Sequence, residues 1–207
     1  MTGVADFPLF ALGIAVLPTE LVPLHIFEPR YKAMIEQCLD SESEFGIVFS
    51  EPDAADADLG CAVEIAEVLE RMDDGRLNIV CRGTRPLRVV TRSNALEYPA
   101  GEVEFLDDSP EEPDAGSGAE ARRQFAELVE RATDLAPLGD ELGAMSAYAM
   151  AARVDFSVDA KQGLLALRSE NARLRLLSKL LRAVNKRLDQ DELVAQRARM
   201  NGKVRFD

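Results

Sequence analysis

The only histidine in this 207-residue chain, His25, lies within Pro23-Leu24-His25-Ile26-Phe27-Glu28-Pro29-Arg30-Tyr31. An imidazole can act as a general base, and the carboxylate of Glu28 and guanidinium of Arg30 can hold a ligand. Each also has a plainer role. A lone histidine beside apolar neighbours is ordinarily structural, and Glu28 and Arg30 can bond the backbone or each other. Arg82, Arg85 and Arg88 form a second concentration, either a cationic face on a sheet or a solvated strand face. Cys38, Cys61 and Cys81 are too widely spaced for a zinc knuckle and sit among apolar residues. They read as small buried side chains in a reducing compartment. No serine stands in a nucleophile-elbow context to complete a triad with His25. Ser178 and Lys179 are consecutive on a helix, so they point apart and cannot form a dyad. Gly202-Lys203-Val204 lacks the earlier glycine and the hydroxyl residue of a phosphate-cradling loop. The expectation is therefore no catalytic residue, no metal and no cofactor.

The elements that must position these residues start from a corner. Leu24 and Ile26 close a short extended run. Pro29 fixes its own φ and pushes Glu28 out of the α region, so a helix begins with Pro29 at its first position. Tyr31, Met34, Ile35, Cys38 and Leu39 then give one apolar helix face ending near Asp40-Ser41. Glu28 stands where a carboxylate favours a helix start, and Phe27 is placed to fold back as a hydrophobic staple.

Around this corner the pattern is β. Phe7 to Leu17 reads as two short apolar runs parted at Ala11-Leu12-Gly13. Phe45–Phe49 reads as a buried strand, and the acidic stretch 51–58 as a solvated loop. Ala62–Glu70 is extended with a bulge near Ala66-Glu67, and Asp73-Asp74-Gly75 signals a hairpin. Leu77, Ile79 and Cys81 alternate with Asn78, Val80 and Arg82. Gly83 interrupts the run, Leu87, Val89 and Val90 resume it, and Glu102–Leu106 adds one more strand. Such strands with glycine-marked bends favour a small curled sheet or barrel.

Residues 107–118 are acidic, hold Pro and Gly and no large apolar side chain, and read as a mobile linker. Beyond them the pattern is helical. One helix runs from about Glu120 and a second from Leu142 to Ala152, and Ser157 can cap a third. In the last and longest, Leu167, Leu174, Leu177, Leu181, Val184 and Leu188 form a heptad-like seam. That seam can pack within its own bundle or against a second copy.

Composition narrows the function classes. The net charge of −13 argues against non-specific nucleic-acid binding. The distribution is uneven: residues 161–207 hold 12 Lys/Arg against 5 Asp/Glu, and the remainder holds 12 against 32. No run of about 18 apolar residues exists to span a membrane, and the start of the chain lacks the features of a signal peptide. The expected location is cytoplasmic.

Several of these segments carry a resemblance. Phe7-Pro8-Leu9-Phe10, Val16-Leu17-Pro18 and Pro23–Tyr31 resemble the opening of the Lon protease N-terminal (substrate-binding) domain, found also as free-standing bacterial proteins. Asp74-Gly75-Arg76-Leu77 and Gly83-Thr84-Arg85-Pro86-Leu87-Arg88-Val89 are similar to that domain's hairpin and following strand. Ala100-Gly101-Glu102-Val103-Glu104 is a looser match to its edge strand. The chain departs at Ala11, where the family often has proline, and at Thr19-Glu20, where it has a glycine-rich turn.

The resemblance implies an α+β fold. An N-terminal curled sheet or pseudo-barrel of PUA-like type, with one short helix, would span 1–106 and a helical subdomain 119–207. It implies a non-enzymatic polypeptide-binding module without the ATPase or protease domains. His25, Phe27, Glu28, Arg30, Tyr31, Arg82 and Arg85 are its candidate substrate-binding residues. Expected partners are polypeptide segments or a client protein, with self-association through the last helix possible and neither membrane nor nucleic acid expected. The alternatives are an RNA-binding PUA-like protein and a helix-mediated adaptor.

Overall fold

The structure is a computed structural model that describes residues 3–49, 58–93 and 95–201. Six strands form one sheet, and helices with a long last member follow, so the α+β expectation holds. The strands are β1 (Val4–Leu12), β2 (Leu21–Ile26), β3 (Phe45–Phe49), β4 (Leu59–Arg71), β5 (Leu77–Ser93) and β6 (Ala100–Phe105). Their order is β2-β5-β4-β3-β1-β6, and an additional β5–β6 pairing curls the sheet onto itself. Only β1 and β3 run parallel. The acidic loop read at 51–58 lies outside the described residues except for Asp58, and Gly202-Lys203-Val204 lies wholly outside them.

The corner forms as its sequence requires. Helix α1 (Pro29–Ser41) starts with proline in its first turn and Glu28 as an extended N-cap, and it buries Tyr31, Met34, Ile35 and Cys38. The expected staple does not form. Because the backbone is extended through Ile26, Phe27 shares a face with His25, two residues back. The two rings stack at 5.9 Å, and Phe27 stays 59% exposed.

Gly83 does not interrupt the sheet as expected, for β5 runs unbroken through it. The glycine marks a close approach instead: a Cβ there would collide with the Leu17 carbonyl. Gly75, at φ 79°, closes the β4–β5 hairpin, where Met72 and Arg76 bond across the turn at 2.9 Å. The bulge expected near Ala66-Glu67 is present between Ile65 and Glu67.

Backbone contacts divide the chain into two units, cut differently from the sequence-based division. One comprises the residues up to Glu111 together with Tyr148–Glu170, so α5 (Val158–Leu165) belongs with the sheet. The reason is local. Lys161 Nζ meets Glu20 Oε1 at 2.5 Å with both side chains largely buried, and Glu20 also accepts from the Leu17 N–H at 2.9 Å. Gln162 donates to the Leu59 carbonyl at 3.4 Å. Ser157 caps α5 as expected.

The other unit comprises Glu112–Ala147 and the residues from Asn171 on. Its helix α2 (Ala115–Thr133) starts earlier than expected and takes in the last residues of the stretch read as linker. Asp114 caps it by accepting from the N–H groups of Gly116 and Ser117, which offsets the poor propensity of the glycines. The helix expected over 142–152 is two, α3 (Gly139–Ala144) and α4 (Ala147–Ala151), parted at an extended Met145. Arg122 holds the break by donating to the carbonyls of Leu142 and Met145.

Helix α6 (Glu170–Asn201) begins after Leu167, which is therefore outside the seam. Leu174, Leu177 and Leu181 are buried. Alongside, Asn171, Ser178 and Asn185 repeat at seven residues and are buried too. Asn171 donates to the Glu112 carbonyl, and Asn185 to the Gln124 carbonyl at 3.0 Å. Arg182 pairs with Glu120, and Arg131 with Asp189. These contacts run in the same direction along both helices, so α2 and α6 lie parallel, in the register set by their polar residues. None of the described helices is long and apolar enough to cross a membrane.

Candidate functional site

The register of β2, β5 and β4 places three rows of side chains on the outer sheet face. Leu21, Arg82 and Glu64 form one row, Pro23, Val80 and Glu67 the next, and His25, Asn78 and Glu70 the third. Along β5, Leu77, Ile79 and Cys81 are buried beneath this face while Asn78, Val80 and Arg82 alternate outward. On β4, register shifts between Ile65 and Glu67 and between Val68 and Glu70 bring glutamates three apart onto a single face. One column is therefore apolar apart from His25, and another is wholly acidic.

β2 ends the sheet, and no described strand pairs with its outer edge. Gly83 N–H donates to the Glu20 carbonyl at 2.9 Å, so Val22, Leu24 and Ile26 fall in hydrogen-bonding phase with β5. Leu21, Pro23 and His25 turn their backbone to the free edge. Pro23, having no N–H, fits there and blunts the edge against simple strand addition.

The polar row is wired across three strands. Asn78 Nδ2 donates to Glu70 Oε2 at 2.8 Å, and His25 Nδ1 lies 2.6 Å from Asn78 Oδ1. A carboxylate can only accept, so Asn78 offers its NH2 to Glu70 and its oxygen to His25. Neutral His25 therefore carries its proton on Nδ1 and keeps Nε2 as an acceptor. Pro23, Leu24, His25, Leu69, Glu70, Asn78 and Ile79 line a groove of about 650 Å³ over this row. Leu21 and Leu69, 62% and 56% exposed, are left uncovered on these strands.

The other candidate residues fall elsewhere or are already partnered. Arg30 pairs with Glu28 at 2.9 Å and covers the Tyr31 ring at 4.6 Å. Tyr31 itself is buried against Phe10, with ring centroids 3.9 Å apart. Burial pushes its hydroxyl above the usual tyrosine value, with the Arg30 guanidinium opposing. Arg82 donates to Glu64 at 2.5 and 2.7 Å. Arg85 pairs with Glu44 at 2.7 Å and lies 3.7 Å over Phe105. Arg82 and Arg85 are thus neutralised separately rather than forming a cationic face with Arg88. His25 and Phe27 lie together, Arg82 stands two rows away, and Glu28, Arg30, Tyr31 and Arg85 are not in the groove.

The cysteines are buried, and burial raises each thiol, Cys81 to about 12 and Cys61 further. Among the described residues no group of three His, Cys, Asp or Glu is arranged to hold a metal. The cross-strand hydrogen-bonded row of His25, Asn78 and Glu70 lies beside the exposed Leu69.

Residues 6–183 match the family model described as the ATP-dependent protease La (LON) substrate-binding domain. The chain belongs to the Lon substrate-binding domain family. A solved Lon N-terminal domain protein from Xanthomonas campestris is 26% identical with a TM-score of 0.63, the alignment covering 84% of this chain and 97% of that one. The N-terminal domain of Mycobacterium avium complex Lon protease shares the fold at 21% identity and a TM-score of 0.65, covering 85% and 97%. Within this Lon-type sheet, sequence reasoning missed Leu69, Glu70 and Asn78 beside His25, and Glu67, Val80 and Leu21 in the other two rows of the same face. The outward alternation of β5 was the available signal, but pairing β4 to it required the register of two bulges.

Proposed function

We propose that the protein binds polypeptide segments without transforming them, using the outer face of β2, β5 and β4. The observation that carries this reading is the groove of about 650 Å³, lined by the uncovered Leu69, on a face that also exposes Leu21 two rows away. Exposed apolar surface gathered on one face is a common mark of an interaction site. The family description, a substrate-binding domain, agrees with it. Micromolar capture corresponds to roughly −8 kcal/mol, within reach of a few buried side chains after the cost of association.

The chain contains no tryptophan, so a tryptophan-bearing unfolded peptide reports its own burial. Titration should shift the peptide's fluorescence, and Leu21→Asp with Leu69→Asp should weaken binding about tenfold or more. Unchanged affinity in that double variant would remove the groove from the account.

A second reading has one observation in its favour. Arg175, Lys179, Arg182 and Lys186 recur at spacings of four, three and four on an exposed face of α6, a stripe suited to phosphates. Arg175 and Arg182 already pair with Asp114 and Glu120, and the whole chain is strongly acidic. Polypeptide binding is therefore the better supported function. RNA binding that collapses with added salt would reverse the ranking.

A further inference from the structure

We infer that the groove selects segments in which apolar residues are flanked by lysine or arginine, an inference that rests on the polypeptide-binding reading above. Each of the three cross-strand rows ends in a glutamate on β4: Glu64, Glu67 and Glu70. Arg82 neutralises Glu64 only. Glu67 stands opposite Val80, and Glu70 meets the neutral amide of Asn78, so no cation compensates either within its row. Asn78 engages Glu70 Oε2, which leaves the other carboxylate oxygen for a ligand cation.

The opposite column, Leu21, Pro23 and His25, lies on the exposed edge strand. A ligand laid over the face meets apolar surface on one side and two uncompensated carboxylates on the other. His25 Nε2, an acceptor while the ring is neutral, suits a ligand N–H better than a carboxylate. An acidic segment would bring like charges together at Glu67 and Glu70 and gain no donor. The face therefore discriminates by repulsion as well as attraction.

The test uses three peptides with one apolar, tryptophan-containing core, flanked on both sides by Lys, Ser or Glu, titrated at low salt. The Lys-flanked peptide should bind about five- to tenfold more tightly than the Ser-flanked one, and the Glu-flanked one most weakly, with the spread narrowing as salt is added. Glu67→Gln with Glu70→Gln should abolish the advantage of the Lys-flanked peptide over the Ser-flanked one. The matched control, Glu97→Gln with Asp107→Asn, should keep that advantage. Equal binding of all three peptides overturns the charge preference while polypeptide binding stands. An equal loss in the control pair also overturns it, by assigning the preference to net charge. If no peptide binds, the polypeptide-binding reading falls and this inference falls with it.

Discussion

The two halves of β5 make opposite use of the same strand. From Leu77 to Arg82 it lies between β2 and β4, and from Leu87 to Ser93 it pairs with β6. In the second half, Leu87 and Val89 enter a core with Phe7, Leu9, Val48, Ala62 and Val103. The Phe105 ring is covered there by Arg85, which Glu44 holds in place. In the first half the buried side is equally complete, since Leu77, Ile79 and Cys81 are inaccessible. The outer side is different. Leu21 and Leu69 have no such cover, and His25, Asn78 and Glu70 are wired to one another. The sheet thus covers an aromatic ring at one end and leaves Leu21 and Leu69 bare at the other, the contrast on which the proposed binding face rests.

The sharpest way to break that contrast is to truncate one leucine in each half. Leu87→Ala should cost about 2–5 kcal/mol of stability, because a fully buried side chain leaves a cavity. Leu21→Ala should change stability by less than about 0.5 kcal/mol and still weaken peptide binding. Chemical denaturation and peptide titration read the two effects separately. A large stability loss at Leu21 would mean that its surface is structural.

At the junction of the halves, Gly83→Ala should destabilise by about 1–3 kcal/mol, since the new methyl meets the rigid Leu17 carbonyl. Thermal unfolding checks it, and a neutral outcome would show that the Leu17–Glu20 approach can yield. In the covered half, Arg85→Ala should cost about 1 kcal/mol and raise binding of a hydrophobic dye as Phe105 is exposed. Unchanged dye binding would mean that the guanidinium is not what shields the ring.

The smallest expected effect is none. Burial holds Cys81 at about 12 and Cys61 higher, so both stay protonated as pH rises through the range where an exposed thiol ionises. Iodoacetamide at pH 8.5 should leave the native protein unmodified and alkylate it once unfolded, as mass spectrometry would record. Rapid native labelling of Cys81 would mean that the openness of the first half extends below its outer face.

Much of this was readable from residue types. Pro29 after Glu28 dictates the corner, the apolar run Phe45–Phe49 dictates a strand buried on both faces, and Asp74-Gly75 dictates the hairpin. Gly83 misled, because a glycine that admits a neighbouring carbonyl looks in sequence like one that ends a strand. Asp114 misled differently: an acidic stretch read as linker holds the cap that starts α2. The candidate site was half legible. His25 and Phe27 stood out by type, whereas Glu67, Leu69 and Glu70 join them only through two bulges. Glutamates three apart otherwise suggest a helix face. Arg82 and Arg85 looked like one cationic surface until Glu64 and Glu44, distant in sequence, took one each.

Hydrogen exchange of the full chain with and without an unfolded polypeptide tests the central claim most directly. Protection should appear along Leu21–Ile26 and the 64–70 segment of β4, while β6 is unaffected. Protection confined to β6 or α6, with β2 exchanging as in the free protein, would contradict the assignment of the open half as the binding face.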